Sequence, residues 1–201
     1  MLRKQAMQLG WTIVLMATTV NIYAQNKVIV IPLYGDEAPT SKIIFWTDDI
    51  YKGDLGGVSG ADGKCQLSAD NAMVKGTFKA WISDTAVAGS IPARPDFTYY
   101  DLPYQNVDGT PVAGHFVDFL DSEFVGLIRS VTAATNYISY WTGLNDNGDS
   151  SGTLDCQNWT SRSNSDNGTV GFDRGGLING NWSNLSSPGC HIAVHLLCFE
   201  Q

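Results

Sequence analysis

Cys190-His191-Ile192-Ala193-Val194-His195-Leu196-Leu197-Cys198-Phe199 is an apolar run near the end of the chain. Its reading decides the fold. Taken as the last strand, it sets Cys190 and Cys198 about 26 Å apart at about 3.3 Å per residue. A disulfide needs Cα atoms within about 7 Å, so these two do not bond each other. Cys65 and Cys156 complete an even set of four, which reads as two disulfides in an oxidising compartment. A nested pairing and an interlaced pairing remain, and the nested one is preferred. Zinc would need clustered ligands such as C-x-x-C, and the chain has none.

Upstream, Ile43-Ile44-Phe45-Trp46-Thr47 reads as a buried strand, and Gly53-Asp54-Leu55-Gly56-Gly57 as a turn. A helix is expected from Ser59, with Ser59 as its cap and Asp62 at the third position of a capping box. Ala61, Cys65, Ala69 and Ala72/Met73 recur on one helical face, which buries Cys65. Residues 77–82 alternate as a strand with Phe78, Ala80 and Ile82 on one side. His115 to Leu120 reads as a short helix showing Phe116, Phe119 and Leu120, and Tyr137 to Thr142 as another strand. A few helices among short, non-alternating strands make an α+β domain.

The chain begins like an export signal. Arg3 and Lys4 precede an apolar run from Trp11 to Val20, and Ile22-Tyr23-Ala24 offers a cleavage site. That run is too short to span a bilayer, which takes roughly 20 residues. The expected organisation is a signal peptide over 1–24, a linker or edge strand over 25–41 and one domain over 42–201. The mature protein is expected to be exported, with secreted, periplasmic and cell-surface fates open.

Charge narrows the partners. The chain has 12 Lys and Arg against 20 Asp and Glu, and loss of the leader with Arg3 and Lys4 takes the net charge from −8 to −10. Phosphate backbones need a basic footprint, so nucleic acid is excluded. Only Glu37, Glu123 and Glu200 are glutamates. The acid is mostly Asp, which favours turns and caps.

The most unusual stretch is 145–169, where 20 of 25 residues are Asn, Asp, Ser, Thr or Gly. Long loops in compact domains are usually functional or disordered. Cys156 and Trp159 lie inside this one and Trp182 just beyond, so it reads as an ordered, stapled loop. Trp159 and Trp182 suit stacking on a sugar. Asn145, Asp146, Asn147, Asp149 and Asp166 offer amides and carboxylates beside them. Asn145-Asp146-Asn147-Gly148-Asp149 also has oxygens that suit calcium, but Ser150 stands where an EF-hand needs Gly. No cofactor is assigned.

Catalytic patterns are missing: no G-x-S-x-G, H-E-x-x-H or phosphate-binding loop occurs. His191 and His195 would sit about 13 Å apart on one strand, too far to share a metal. Asp118, Asp121 and Glu123 are the candidate carboxylates for a hydrolase. The chain is therefore expected to be a non-catalytic binding or adhesion module for a glycan or an extracellular protein. A carbohydrate-active hydrolase and a structural envelope domain are the alternatives.

Several stretches also resemble a family of exported bacterial domains of unknown function. These are Gly53-Asp54-Leu55-Gly56-Gly57, Gly60-Ala61-Asp62 with Cys65, and 76–84. Val107-Asp108-Gly109-Thr110, Trp141-Thr142-Gly143, Asn158-Trp159-Thr160-Ser161 and the closing Leu197-Cys198-Phe199-Glu200-Gln201 continue the likeness. That family is placed with the C-type-lectin-like, endostatin-like fold. The resemblance implies paired terminal strands and nested disulfides, Cys65–Cys198 with Cys156–Cys190. It does not bring calcium-dependent sugar binding, because the Glu-Pro-Asn and Trp-Asn-Asp triplets of such lectins are missing here. At net −10, the basic heparin-binding surface of endostatin is not expected either.

Overall fold

The computed structural model describes residues 40–83, 94, 96–136, 138–173 and 182–201, with the backbone of three strands ahead of them. The chain divides into two units, Met1–Pro39 and Thr40–Gln201. In the first, β1 (Ile13–Met16), β2 (Thr19–Ala24) and β3 (Lys27–Pro32) form an antiparallel meander. The rest of the expected leader lies outside the described residues, as do 33–39 of the expected linker. Among the described residues, no helix is long and apolar enough to cross a membrane.

The second unit is a curled mixed sheet with few helices. Its strands are β4 (Lys42–Trp46), β5 (Phe78–Ala80), β6 (Tyr104–Gln105), β7 (Pro111–Ala113), β8 (Ile138–Trp141), β9 (Val170–Asp173) and β10 (His195–Glu200). The order is β7-β6-β4-β10-β8-β9, with β5 also paired to β10. β10 runs antiparallel to β4 and β5 and parallel to β8. It is therefore the central strand, which explains its unbroken apolar run: Leu196, Leu197, Cys198 and Phe199 are all fully buried.

Alternation along β10 separates two cores. Leu197 and Phe199 join Ile44, Trp46, Trp81, Phe116 and Phe119 on one face. Leu196 and Cys198 join Phe45, Phe78, Trp141 and Trp159 on the other. Burying a large apolar side chain contributes about 1.5–3 kcal/mol, so β10 alone is a major source of stability.

Helix α1 (Gly57–Asn71) lies on the second face and buries Ala61, Cys65 and Ala69. Its start differs from the expected one. Gly56 is the N-cap, no side chain caps it, and Ser59 lies inside the helix. The turn into the helix is made by Gly56 and Gly57, with φ of 88° and 75°, which glycine adopts without strain. Asp62 serves tertiary structure instead. Its Oδ1 accepts from Ala80 N at 2.8 Å, and its Oδ2 accepts from Arg94 Nη2 at 2.7 Å. Helix and β5 are joined through this carboxylate. Met73 is 88% exposed, so the buried helical face ends before it.

The last strand also differs. It starts at His195, and residues before it turn, with Ile192 N donating to Gly189 O at 3.0 Å. Cys190 is held off the strand line by its bond to Cys156. His191 and His195 consequently share no strand, and His195 Nδ1 bonds the Thr47 carbonyl instead. The disulfides are Cys65–Cys198 and Cys156–Cys190, with Cα atoms 5.6 and 5.7 Å apart. The first clamps α1 to the central strand, and the second closes the polar loop.

Candidate functional site

The polar stretch folds into three connected pieces. Its first is a tight turn. Asn145 N donates to Asp149 O at 2.7 Å, and Gly148, at φ 80°, donates back to Asn145 O at 3.0 Å. The side chains of this turn are engaged. Asn147 Nδ2 donates to Asp149 Oδ2 at 2.8 Å. Asn145 Oδ1 accepts from Asn184 Nδ2 at 3.1 Å, and Asp146 Oδ1 accepts from Ser183 N at 3.2 Å. Burial raises the Asp146 carboxyl above its ordinary range, and the amides of Ser183 and Asn184 pull part of that back. Asn145 and Asp146 thus pin the segment after Trp182, while Asn147 and Asp149 lie exposed. Among the described residues, no group of three or more His, Cys, Asp or Glu is placed to hold a metal ion.

The second piece is a left-handed turn, α3 (Cys156–Trp159). Cys156, Gln157, Asn158 and Trp159 have φ of 51°, 54°, 54° and 61°. Left-handed backbone costs roughly 1–2 kcal/mol per ordinary residue, so neighbours must hold this turn in place. Four do. Asp155 caps it by accepting from Asn158 N at 3.1 Å. Thr160 and Ser161 N donate to Cys156 O. Trp159 drops into the core with its Nε1 on the Ser83 carbonyl at 2.9 Å. The Cys156–Cys190 bridge fixes the other end, packed so closely that a Cβ at Gly53 would stand 2.4 Å, and one at Gly168 2.7 Å, from Cys156 Sγ.

The third piece is the return around Asp166. Its carboxylate accepts from Gln157 Nε2 at 3.0 Å and from the Ser161 hydroxyl. Its carbonyl accepts from Cys190 N at 2.8 Å. Asp166 therefore braces the left-handed turn from the side.

This frame brings together residues that sequence reasoning passed over. An open cleft of about 540 Å³ is lined by Gly152, Thr153, Asp155, Gln157 and Asn158. Most of its surface is apolar, and the side chains of Thr153, Asp155, Gln157 and Asn158 place hydroxyl, carboxylate and amide groups among it that can bond sugar hydroxyls or peptide groups. The available signal was local: Gln157 and Asn158 stand between a bridged cysteine and a core tryptophan, so both are held rigidly.

The tryptophans move the other way. Trp159 is fully buried and Trp182 is 3% exposed. Trp182 packs on Trp81 and Phe124, with ring centres 5.0 and 5.1 Å away. Neither indole offers a face to a ligand, because each fills the core beneath the loop. Of the three candidate carboxylates, one is engaged by backbone and two face solvent. Asp118, in the first turn of the short helix α2 (Val117–Asp121), accepts at Oδ2 from Gly114 N at 2.7 Å and His115 N at 2.9 Å, which ties the chain ahead of the helix to it. Asp121 and Glu123 are exposed.

A family model described as a protein of unknown function, DUF1554, matches residues 48–174. No curated protein matches the chain.

Proposed function

Since the chain belongs to the DUF1554 family of proteins of unknown function, we propose from its geometry that it is an exported, non-catalytic binding or adhesion module. Its binding face is the stapled loop around α3, and its ligand is a glycan or an extracellular protein surface. One observation carries the reading. Four consecutive residues are held in left-handed backbone by a disulfide, a cap and a buried indole, and the result is a rigid polar rim rather than a catalytic set. Strained backbone of this kind clusters at binding sites, where rigidity lowers the entropy lost on association. Gln157 and Asn158 are the contact residues, Thr153 and Asp155 complete the lining, and Asp166 is a positioning residue.

Two features support the wider reading. Two disulfides suit an oxidising compartment outside the cytoplasm. The pairing of β4 with β10 and the helix bonded to the last strand agree with a C-type-lectin-like fold. A glycan array and a matrix-protein panel, probed with the chain prepared under oxidising conditions, test the function. Binding reduced by Gln157→Ala and Asn158→Ala is the expected result. No binding to any glycan or protein, with or without calcium, would sink the reading.

A further inference from the structure

We propose that a second cleft, between Tyr99 and α2, is a binding site for one neutral pyranose ring. It stands apart from the loop turn. Phe116, in its wall, packs with Leu197 and Phe199, whereas Cys156 and Trp159 pack with Leu196 and Cys198. Alternate residues of β10 face opposite sides, so the two sites lie on opposite faces of the sheet.

The cleft has a volume of about 330 Å³ and is lined by Tyr99, Tyr100, Asp101, Phe116, Val117 and Leu120. That is the small end of the range for ligand sites, roughly 300–1,000 Å³, and suits one ring. Its lining is mostly apolar with polar groups at the rim, which is the pattern such sites share. Tyr99 is 53% exposed and Val117 54% exposed. Tyr99 is the one aromatic among the exposed large hydrophobic residues described. Trp159 and Trp182 are buried, so Tyr99 is where a sugar finds an open ring.

The ring is also braced. Tyr99 stacks on Phe116 with centres 5.2 Å apart and planes 26° apart. Phe116 is 6% exposed and packs in turn on Trp81, Tyr104 and Phe199. Tyr100 is held by its amide bond to Tyr104 Oη at 3.4 Å and by Lys42 Nζ, 4.1 Å over its ring. A wall already fixed in place loses little freedom when a ligand stacks on it.

The rim selects the chemistry. Asp101 Oδ1 and His115 Nδ1 lie 2.6 Å apart, with side chains 89% and 57% exposed. A carboxylate and an imidazole there bond hydroxyls that project from a ring edge, while the C–H face of a pyranose covers Tyr99. The same carboxylate repels uronates and sulfated sugars. A purely apolar ligand would leave this polar rim unmatched.

Calorimetric titration of the full chain with maltotriose, cellotriose, chitotriose and trigalacturonate tests the site. At least one neutral trisaccharide is expected to bind, with trigalacturonate weaker. Tyr99→Ala is expected to weaken binding by about tenfold or more, equivalent to about 1.4 kcal/mol. Asp101→Asn is expected to narrow the gap between neutral and anionic sugars. Tyr99→Leu keeps an apolar brace on Phe116 and serves if the alanine variant does not fold. Loss of binding in either folded variant supports the site. The proposal is overturned if no neutral sugar binds or if both folded Tyr99 variants bind like the wild type. A loss seen only with Gln157→Ala or Asn158→Ala places the sugar on the loop turn and overturns this cleft alone. Failure of both sets of variants to matter removes both readings.

Discussion

The indole Nε1 of Trp159 donates to the carbonyl of Ser83 at 2.9 Å, inside the core and across 76 positions of sequence. Ser83 N in turn donates to Thr142 O at 2.7 Å, so the left-handed turn, the chain after β5 and the end of β8 meet at one point. The fit is close: a Cβ on Gly143 would stand 2.8 Å from the Trp159 ring and 2.2 Å from Ser83 Oγ. Trp159 is the pillar under the polar loop.

Truncating that pillar should be costly. Trp159→Ala is expected to lose about 3–5 kcal/mol, the usual range for a large buried aromatic. Trp159→Phe should lose less, about 1 kcal/mol from the missing hydrogen bond plus the smaller ring. Urea titration measures both. Ligand affinity in the folded Phe variant should match wild type, because the ring touches no ligand. A large loss of affinity at unchanged stability would return Trp159 to the binding surface.

The Cys156–Cys190 bridge spans a sequence separation of 34. Closing a loop of that size is worth roughly 3–4 kcal/mol in the chain-entropy account. A Cys156→Ala, Cys190→Ala double variant should therefore melt well below wild type. Reducing agent should lower the melting temperature further by also opening Cys65–Cys198. Thermal melts with and without reductant check this, and an unchanged midpoint contradicts it.

Position 157 separates backbone strain from side-chain contact. Gln157 has φ 54° and ψ 58°. A β-branched residue tolerates this region poorly, so Gln157→Ile should lose at least about 1 kcal/mol. Gln157→Gly should be neutral or slightly stabilising, since relief of strain offsets the exposed bond to Asp166. Equal destabilisation by both would mean that the side chain, not the backbone, holds the turn.

Acid should act through the Arg94 cluster. Arg94 is buried, with Asp62 at 2.7 Å and Asp96 at 3.2 Å. Burial works to raise the Asp96 carboxyl, but hydrogen bonds from Arg94 and Lys79 outweigh it and bring it down to about 2. An unfolded Asp titrates near about 3.9. Between those values the unfolded chain binds more protons, so this contribution is fully present above about pH 4 and is lost as pH falls toward 2. Asp62 acts in the opposite sense, because burial raises it despite Arg94. Asp96→Asn should flatten the fall in stability from pH 4 to pH 2. Denaturant midpoints across that window provide the comparison, and an unchanged slope would remove Asp96 from the acid response.

Local chemistry made much of the fold legible. Ala61, Cys65 and Ala69 declared the buried face of α1 by spacing, and Phe116 and Phe119 declared the face of α2. The limits of elements were less legible. Ser59 and Asp62 look like a cap and its partner, yet Gly56 starts the helix and Asp62 bonds Ala80 and Arg94. Arg94 is 32 residues away along the chain, and no local pattern announces such a partner. Likewise, the run from Cys190 looked like one strand because a cysteine pulled aside by a bridge has the same letters as one in a strand.

Sequence alone determined the α+β class, the even set of four cysteines, the lack of a recognised catalytic motif and the acidic balance. These are properties of composition and short-range period. Tertiary structure alone decided which aromatic rings meet water. Trp159 and Trp182 stand in polar chain but fill the core, because a loop without its own apolar period can only order itself by sinking a large ring beneath it. Tyr99 stands in an unremarkable stretch but stays half exposed, because Phe116 already fills the place below it. Burial is set by residues distant in sequence, so the candidate sites became visible only once the two faces of β10 were packed.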